Sequence, residues 1–203
     1  MQIALINTNR VRPPIAPIGL DYVAEALHAA GHSVKLLDLS WEENAESSIS
    51  LFLNQSNFGM VGMTLRNTDD CSFANCQSFL PGFIDLVQTV RASTGAPIVV
   101  GGVGFSVMPE RILSLSNADF GVWGEGEFAV AELANRLERS SEWRDRSSCR
   151  AHKAARRRAN NGERPERSKV VKAMPARSLA PGGRCDMTCA SSLRQYERAM
   201  MYW

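Results

Sequence analysis

Short apolar runs alternate with segments in which apolar residues recur every three or four positions. A short run bounded by turn residues is typical of a buried strand, and the longer period is typical of an amphipathic helix. The runs predict five strands, at Gln2–Asn7, Ser33–Leu39, Phe58–Thr64, Pro97–Val100 and Phe120–Trp123. The periodic segments predict five helices, at Leu20–Ala30, Ala45–Leu53, Phe83–Ala92, Pro109–Leu115 and Glu127–Leu137.

This alternation of strands and helices predicts an α/β fold with a parallel sheet covered on both faces. Five strands fit a flavodoxin-like (Rossmann-like) sheet in the order 2-1-3-4-5. In that architecture, ligands bind beyond the carboxyl ends of the strands, where the strand order reverses. The residues that follow each strand are therefore the candidates for a functional site.

The pattern stops near residue 140, and the composition changes at the same place. Residues 1–140 carry 8 Lys and Arg against 15 Asp and Glu, whereas residues 141–203 carry 15 against 6. The second segment contains no Ile or Phe, and its Val and Leu are limited to Val170, Val171, Leu179 and Leu193. Such a segment buries too little apolar surface to offset its ordering entropy. We therefore expect an ordered domain at 1–140 and a largely disordered basic tail at 141–203.

The loops after the first and third predicted strands have unusual sequences. The first contains Pro13, Pro14 and Pro17, which favour an extended segment that could bound a large flat ligand or serve as an ordinary connection. The loop after the third strand is long for a compact domain, and such loops are often functional. It begins near Arg66, whose guanidinium could face a ligand, pair with Asp69 or Asp70, or be exposed.

The fourth and fifth strands are followed by the glycine-rich sequences GGVGFS and GEGE. Glycine permits tight turns and close approach of the backbone to a ligand. GGVGFS lacks the spacing of a dinucleotide-binding motif and the lysine of a P-loop. Glu127, at the start of the next helix, also fits a simple capping role. An α/β domain whose glycines serve only tight turns therefore remains an alternative.

Four segments together resemble the B12-binding domain of cobalamin-dependent radical SAM proteins: PPIAPIGLDYVAEALHAAGHSVKLLDLS, VGMTLRNTDD, APIVVGGVGFSVMPERIL and ADFGVWGEGEFAVAEL. The resemblance covers approximately Met1–Arg139. It implies the predicted fold, with the corrin ring across the carboxyl edge of the sheet. The contacts that it implies come from the strand ends: Asn7, Thr8, Thr64, Leu65, Arg66, Asn67, Gly101, Gly102, Gly104, Phe105, Ser106, Gly124, Glu125 and Gly126.

The chain differs from many cobalamin domains in one respect. Those domains carry a DxHxxG motif whose histidine coordinates cobalt, but the loop after the first strand contains no histidine here. His28 lies in a predicted helix and His32 in the following turn, where we interpret both as surface or boundary residues. We therefore expect no protein histidine on cobalt, with Arg66 near the lower face of the corrin.

The resemblance also implies a barrel domain that begins with a CxxxCxxC motif for a [4Fe–4S] cluster and S-adenosylmethionine. Cys185 and Cys189 match the first two cysteines, but Ser192 stands in the third position. A hydroxyl is a much poorer cluster ligand than a thiolate. We therefore expect that a chain that ends at Trp203 assembles no working cluster and catalyses no turnover. The cluster and S-adenosylmethionine are expected only in a full-length parent enzyme of the methyltransferase type.

Partners and location follow from what the sequence contains and lacks. No apolar run reaches the length of a membrane span, and no signal peptide is recognisable, so we expect a cytoplasmic protein without a membrane partner. The tail residues Arg150, Lys153 and Arg156–Arg158 could instead bind nucleic acid or another polyanion. Few aromatic residues accompany them for base stacking. A corrinoid is therefore the expected partner, and a polyanion is the alternative.

Overall fold

The computed structural model describes residues 1–72 and 76–139, and the backbone of residues 169–172. These residues form a parallel sheet of six strands in the order β2-β1-β3-β4-β5-β6. The strands are β1 Gln2–Asn7, β2 Ser33–Asp38, β3 Met60–Thr64, β4 Ile98–Gly101, β5 Phe120–Trp123 and β6 Lys169–Lys172. The helices are α1 Ile18–Ala29, α2 Ala45–Asn54, α3 Leu80–Ser93, α4 Val103–Val107, α5 Pro109–Ser116 and α6 Glu127–Arg139.

The predicted α/β fold and the strand order 2-1-3-4-5 are confirmed. Three elements were not predicted: a short 3-10 helix at Leu39–Trp41, the short helix α4, which begins within GGVGFS, and β6, which comes from the basic segment and pairs with β5. Helix α3 begins at Leu80, before the predicted Phe83. Pro81 explains this earlier start, because proline fits the first turn of a helix, where its missing N–H is not needed.

The inner strand β1 separates two apolar cores. Ile3 and Leu5 face the core shared with α1 and α6, whereas Ala4 and Ile6 face the core shared with α2, α3 and α5. Each of these four residues is at most 1% exposed. Burial on both faces produces the continuous apolar run that is typical of a parallel sheet.

The strand register brings the functional loops to one edge. Asn7 at the end of β1 lies opposite Asp38 at the end of β2 and opposite Thr64 at the end of β3. Thr64 in turn lies opposite Gly101 at the end of β4. The carboxyl ends of these four strands are therefore level, and the loops that follow them meet at a single edge.

The helices of the described residues do not meet the requirements of a membrane span. None of them is both long enough and apolar enough to cross a bilayer.

A close contact between β5 and α4 requires glycine in the sheet. Phe105 on α4 is fully buried, and its ring lies against Gly121, so that a Cβ at position 121 would overlap the ring. Gly82 in α3 is a contrasting site, because a Cβ at position 82 would meet no atom within 4 Å. The space over β5 is therefore filled by the Phe105 ring.

We expect Gly121→Ala to lower the free energy of unfolding by about 1–3 kcal/mol, because it overpacks the core against Phe105. Gly82→Ala should be neutral or slightly stabilising, since alanine favours the helix and meets no neighbour. Urea denaturation followed by circular dichroism measures both variants. Equal stability of the two variants would contradict the close contact.

Candidate functional site

The ends of β1 and β2 are joined by a network centred on Asn7. The side chain of Asn7 is 2% exposed, and its Nδ2 donates to Asp38 Oδ1 at 2.7 Å. Asn7 Oδ1 accepts a hydrogen bond from the backbone N–H of Asn9 at 3.1 Å, and Asp38 Oδ1 accepts one from the N–H of Ser40 at 3.0 Å. A buried network of this kind fixes the conformation at the start of both loops. Asn7 therefore supports the carboxyl edge of the sheet from the protein interior.

The loops after β1 and β3 are connected by a single hydroxyl. Thr8 Oγ1 donates to the backbone carbonyl of Thr64 at 2.5 Å. Thr8 and Thr64 are both half-buried. Because the strand order reverses between these two strands, this hydrogen bond ties the two halves of the sheet together at the position where α/β proteins bind ligands.

The loops after β3 and β4 approach each other through their backbones. Leu65 N donates to the carbonyl of Gly101 at 2.8 Å, and Gly104 N donates to the carbonyl of Leu65 at 2.9 Å. Gly102 has a φ of +101°, and a Cβ there would lie 2.6 Å from the carbonyl oxygen of Leu65. A Cβ on Gly104 would lie 2.8–3.0 Å from backbone atoms of Asn67. Glycine is therefore required at both positions.

Ser106 connects the loops after β4 and β5. Its Oγ donates to the carbonyl of Gly102 at 3.0 Å and accepts from the backbone N–H of Gly124 at 3.1 Å. Gly124 has a φ of +82°, in the left-handed region that favours glycine. Beside it, Glu125 is exposed and Gly126 is half-buried. The GGVGFS and GEGE sequences are thus parts of one connected surface.

The larger cavity lies between the ends of β1 and β3 and the first turns of α2 and α3. It has a volume of about 610 Å³, and four predicted site residues line it: Thr8, Leu65, Arg66 and Asn67. A second cavity of about 290 Å³ lies under the proline-rich segment, against Asp38, Ser40 and Trp41. The proline-rich loop therefore lies beside the carboxyl end of β2, where it lines this second cavity.

Two arginines line the larger cavity in different ways. Arg10 is exposed, and its guanidinium donates to the carbonyls of Glu42 and Glu43 at 3.2 and 3.1 Å. Arg66 is also exposed, and within residues 1–72 and 76–139 it makes no hydrogen bond or ion pair, including with Asp69 or Asp70. Arg66 is therefore a cation at the strand end whose charge a ligand can use.

Asn9 is a cavity residue that sequence reasoning missed. It is 9% exposed, its Oδ1 accepts from the N–H of Val11 at 3.4 Å, and its Nδ2 has no partner among the residues described. Its burial depends on the fold of the proline-rich loop and left no signal in the hydrophobic pattern. A buried donor without an acceptor costs about 1–3 kcal/mol.

Not all predicted site residues offer side chains to a ligand. Leu65 is 3% exposed and Phe105 is 0% exposed. Leu65 acts through its backbone, which binds the β4 loop, and Phe105 supports the surface by packing on Gly121. Arg66 and Glu125 are exposed, whereas Thr8, Asn67, Gly101 and Gly102 are half-buried.

The three histidines of the sequence lie away from these loops or outside the described residues. His28 is exposed on α1, and its Nδ1 donates to the carbonyl of His32 at 3.1 Å. His32 is 4% exposed, and its Nδ1 lies 3.2 Å from the Met1 amino group, at the amino end of the sheet. His32 is a boundary residue as predicted, although a buried one; His152 lies outside the described range.

The exposed thiols of Cys71 and Cys76 lie in the long loop after β3. A hydrogen bond to Asp69 and the charge of that carboxylate raise the pKa of the Cys71 thiol above its ordinary value. The backbone N–H of Cys71 donates to Asp69 Oδ1 at 2.9 Å, which lowers the pKa of Asp69. Raised thiol pKa values disfavour the thiolate that binds metals.

The residues that the sequence analysis named for a metal cluster and for polyanion binding lie outside the described part of the chain. The described residues contain no group of three or more His, Cys, Asp or Glu that could hold a metal ion. The candidate cluster ligands Cys185 and Cys189 lie outside the described residues. The same holds for the basic residues Arg150, Lys153 and Arg156–Arg158.

The family model of the B12 binding domain matches residues 5–134. Tryptophan 2-C-methyltransferase of Streptomyces laurentii is 37% identical over 136 residues, which are 66% of this chain and 23% of that protein. Hopanoid C-3 methylase of Methylococcus capsulatus is 30% identical over 128 residues, 62% of this chain and 23% of that protein.

A solved structure shares both the fold and detectable sequence identity. It is the radical S-adenosylmethionine methyltransferase TsrM from Kitasatospora setae, with cobalamin and a [4Fe–4S] cluster bound. The TM-score is 0.66 at 33% identity, over 68% of this chain and 24% of that one. The chain thus spans about a quarter of the length of the relatives that it matches.

We expect Asp69→Asn to speed alkylation of Cys71 at pH 8 several-fold. Removal of the carboxylate charge lowers the thiol pKa and so raises the thiolate fraction at a pH below that pKa. Iodoacetamide labelling with peptide mass spectrometry measures the rate, and Asp21→Asn on α1 is the control. An unchanged rate in Asp69→Asn would show that this carboxylate does not set the reactivity.

Proposed function

The chain belongs to the B12-binding domain family, and from this premise we propose that its carboxyl edge binds cobalamin, as the corrinoid-holding module of a radical SAM methyltransferase-type enzyme. The observation that carries the proposal is the connected surface formed by the loops after β3, β4 and β5. It provides a broad face of backbone and small side chains at the carboxyl edge, next to the reversal in strand order between β1 and β3 where α/β sheets bind ligands.

The residues present fit a large, flat and mostly neutral ligand. Glycine at positions 101, 102 and 124 leaves the surface without projecting side chains, and a Cβ at Gly102 would collide with Leu65 and Thr64. Corrins carry amide side chains, which exchange neutral hydrogen bonds with backbone groups and hydroxyls. The acidic composition of residues 1–140 is compatible with such a ligand, because recognition depends on shape more than on charge.

Arg66 is the residue that we place near the lower face of the corrin. It stands just beyond β3, lines the larger cavity, and keeps its guanidinium unpaired within the described part of the chain. His28 and His32 meet at the amino end of the sheet, far from this edge. Neither of these two histidines lies near the loops of the carboxyl edge, and we propose that no protein histidine coordinates cobalt.

The described domain would contribute binding and orientation of the cofactor. Bound methylcobalamin supplies a methyl group, and the loops of this chain would hold the corrin in one orientation and exclude water from its lower face. The cluster and S-adenosylmethionine chemistry of the longer relatives requires groups that the described residues do not contain. We accordingly propose no turnover by residues 1–139 alone.

Titration of the full chain with hydroxocobalamin tests the proposal. Visible spectra and separation of bound from free ligand should show one corrinoid per chain. Arg66→Ala should raise the dissociation constant about tenfold, the size of one lost charge-assisted hydrogen bond. Arg136→Ala is the matched control, because Arg136 is an exposed α6 residue paired with Glu132. Absence of binding by the unmodified chain would contradict the proposed function, whereas the assignment of the fold would stand.

The ligation of cobalt can be tested with cobinamide, a corrinoid that lacks the nucleotide base. Its cobalt(II) form, bound to the chain, should give an electron paramagnetic resonance spectrum without nitrogen splitting from an axial ligand. In this complex any axial nitrogen must come from the protein. A splitting that disappears in His28→Ala, His32→Ala or His152→Ala would contradict the proposed arrangement.

A further inference from the structure

The loop after β3 folds back on itself as a short antiparallel hairpin, in which residues 68–70 face residues 77–79. Asp69 and Ser78 form the bridge at its centre. Two backbone hydrogen bonds flank this bridge, from Phe79 N to the Thr68 carbonyl at 2.8 Å and from Asp70 N to the Gln77 carbonyl at 3.1 Å. The next pair of facing residues in this register is Cys71 and Cys76.

Two observations bring the thiols of Cys71 and Cys76 together. Facing pairs alternate in an antiparallel ladder, and the Cα atoms of the non-hydrogen-bonded pairs lie about 4.5 Å apart, within the range of roughly 4.4–6.8 Å that a disulfide spans. The ladder ends here, because Cys71 has a φ of +56°. The Asp69 carboxylate then provides a shared contact, since it accepts a hydrogen bond from each thiol. The two sulfurs are therefore neighbours while they are still reduced.

The same carboxylate affects the redox chemistry of the pair. Its hydrogen bond and its charge raise the pKa of the Cys71 thiol, so they disfavour the thiolate. Stabilisation of a thiolate is what makes the reduced form of a dithiol favourable. Asp69 therefore slows the attack of the thiol on an oxidant, but it does not oppose the disulfide at equilibrium.

The hairpin forms part of the wall of the larger cavity, because Asn67 and Phe79 line that cavity. The base of the hairpin is fixed by packing, since a Cβ on Gly104 would approach the Asn67 backbone to 2.8 Å. The end near the cysteines is exposed, and there the N–H of Gln77 donates to Asp70 Oδ1 at 3.1 Å. A covalent link between the cysteines would fix this exposed end of the cavity wall.

We propose that Cys71 and Cys76 form a reversible disulfide that fixes the hairpin beside the larger cavity, with a low-molecular-weight disulfide as the oxidant. The thiolate of one cysteine attacks a sulfur of the oxidant, so that a mixed disulfide forms and one small thiol leaves. The thiolate of the other cysteine attacks the protein sulfur of the mixed disulfide and releases the second small thiol. The two cysteines together lose two electrons and two protons, and the oxidant gains them as it becomes two thiols.

Equilibration of the full chain with reduced and oxidised glutathione, without added corrinoid, tests the disulfide independently of cobalamin binding. Alkylation of the remaining thiols and digestion with trypsin give the peptide Asn67–Arg91, which contains both cysteines and no other cysteine. As the share of oxidised glutathione rises, this peptide should become an unalkylated form that is two hydrogen atoms lighter than the dithiol. Two persistent free thiols, glutathione adducts without a ring, or a link to Cys149, Cys185 or Cys189 would overturn the proposal.

The register is tested with Cys76→Ser/Gln77→Cys, which moves the second thiol by one residue and to the opposite face of the hairpin. Its ring should form with an equilibrium constant about tenfold lower than that of the unmodified chain, because displaced cysteines form a strained disulfide. Equal equilibrium constants for the two chains would overturn the role of the hairpin in pairing the thiols.

The effect on the cavity wall is measured by hydrogen exchange of the oxidised and the reduced chain. The amides of Asp70, Gln77 and Phe79 should exchange about tenfold more slowly in the oxidised chain, since a disulfide restricts the open states of the loop. The amides of β1 are the internal reference and should not change. The control Cys71→Ser cannot form the ring and should exchange equally under both conditions. Equal exchange of the oxidised and reduced unmodified chain would overturn the proposed fixing of the hairpin.

Discussion

The close approach of two backbones, after β3 and after β4, is the constraint on which the carboxyl edge depends. Leu65 and Gly104 are joined by a hydrogen bond of 2.9 Å, a distance that a side chain at 102 or 104 would not permit. This approach sets the start of α4, which directs Phe105 into the core against Gly121 and Ser106 toward Gly124. The steric requirement for glycine at positions 102 and 104 therefore determines how the loops after β3, β4 and β5 lie against one another.

The other half of the edge is held by polar side chains in place of glycines. The buried amide of Asn7 pairs with Asp38 and with the backbone of Asn9, so the two loops that begin there have fixed starting points. The Thr8 hydroxyl then bonds to the Thr64 carbonyl across the reversal in strand order. With these groups satisfied by one another, Arg66 is left as a cation whose interactions a ligand can determine.

The sequence predicted five of the six strands and most helices because both depend on local periodicity. Strand β1 is the clearest example, with Ile3 and Leu5 on one face and Ala4 and Ile6 on the other. The residues at the strand ends could be named because the resemblance to the B12-binding domain implies contacts there, and the fold class brings those strand ends to one edge. Their roles could not be assigned in the same way. Whether Asn7 and Phe105 support the surface, and whether Asn9 lines the cavity, depends on contacts between loops distant in sequence. Helix α4 was missed because its five residues, VGFSV, follow two glycines and have low helix propensity, and its position is imposed by tertiary contacts.

Strand β6 shows where reasoning from composition reaches its limit. The low apolar content of residues 141–203 predicts that the segment cannot build a core, since core formation depends on buried side-chain area. Addition of a strand to an existing edge depends instead on backbone hydrogen bonds, which any residue except proline can donate. The edge of β5 already carries donors and acceptors in the correct spacing, so four residues with two central valines are sufficient to extend the sheet. A segment with too few apolar residues to build its own core can therefore still add a strand to the sheet.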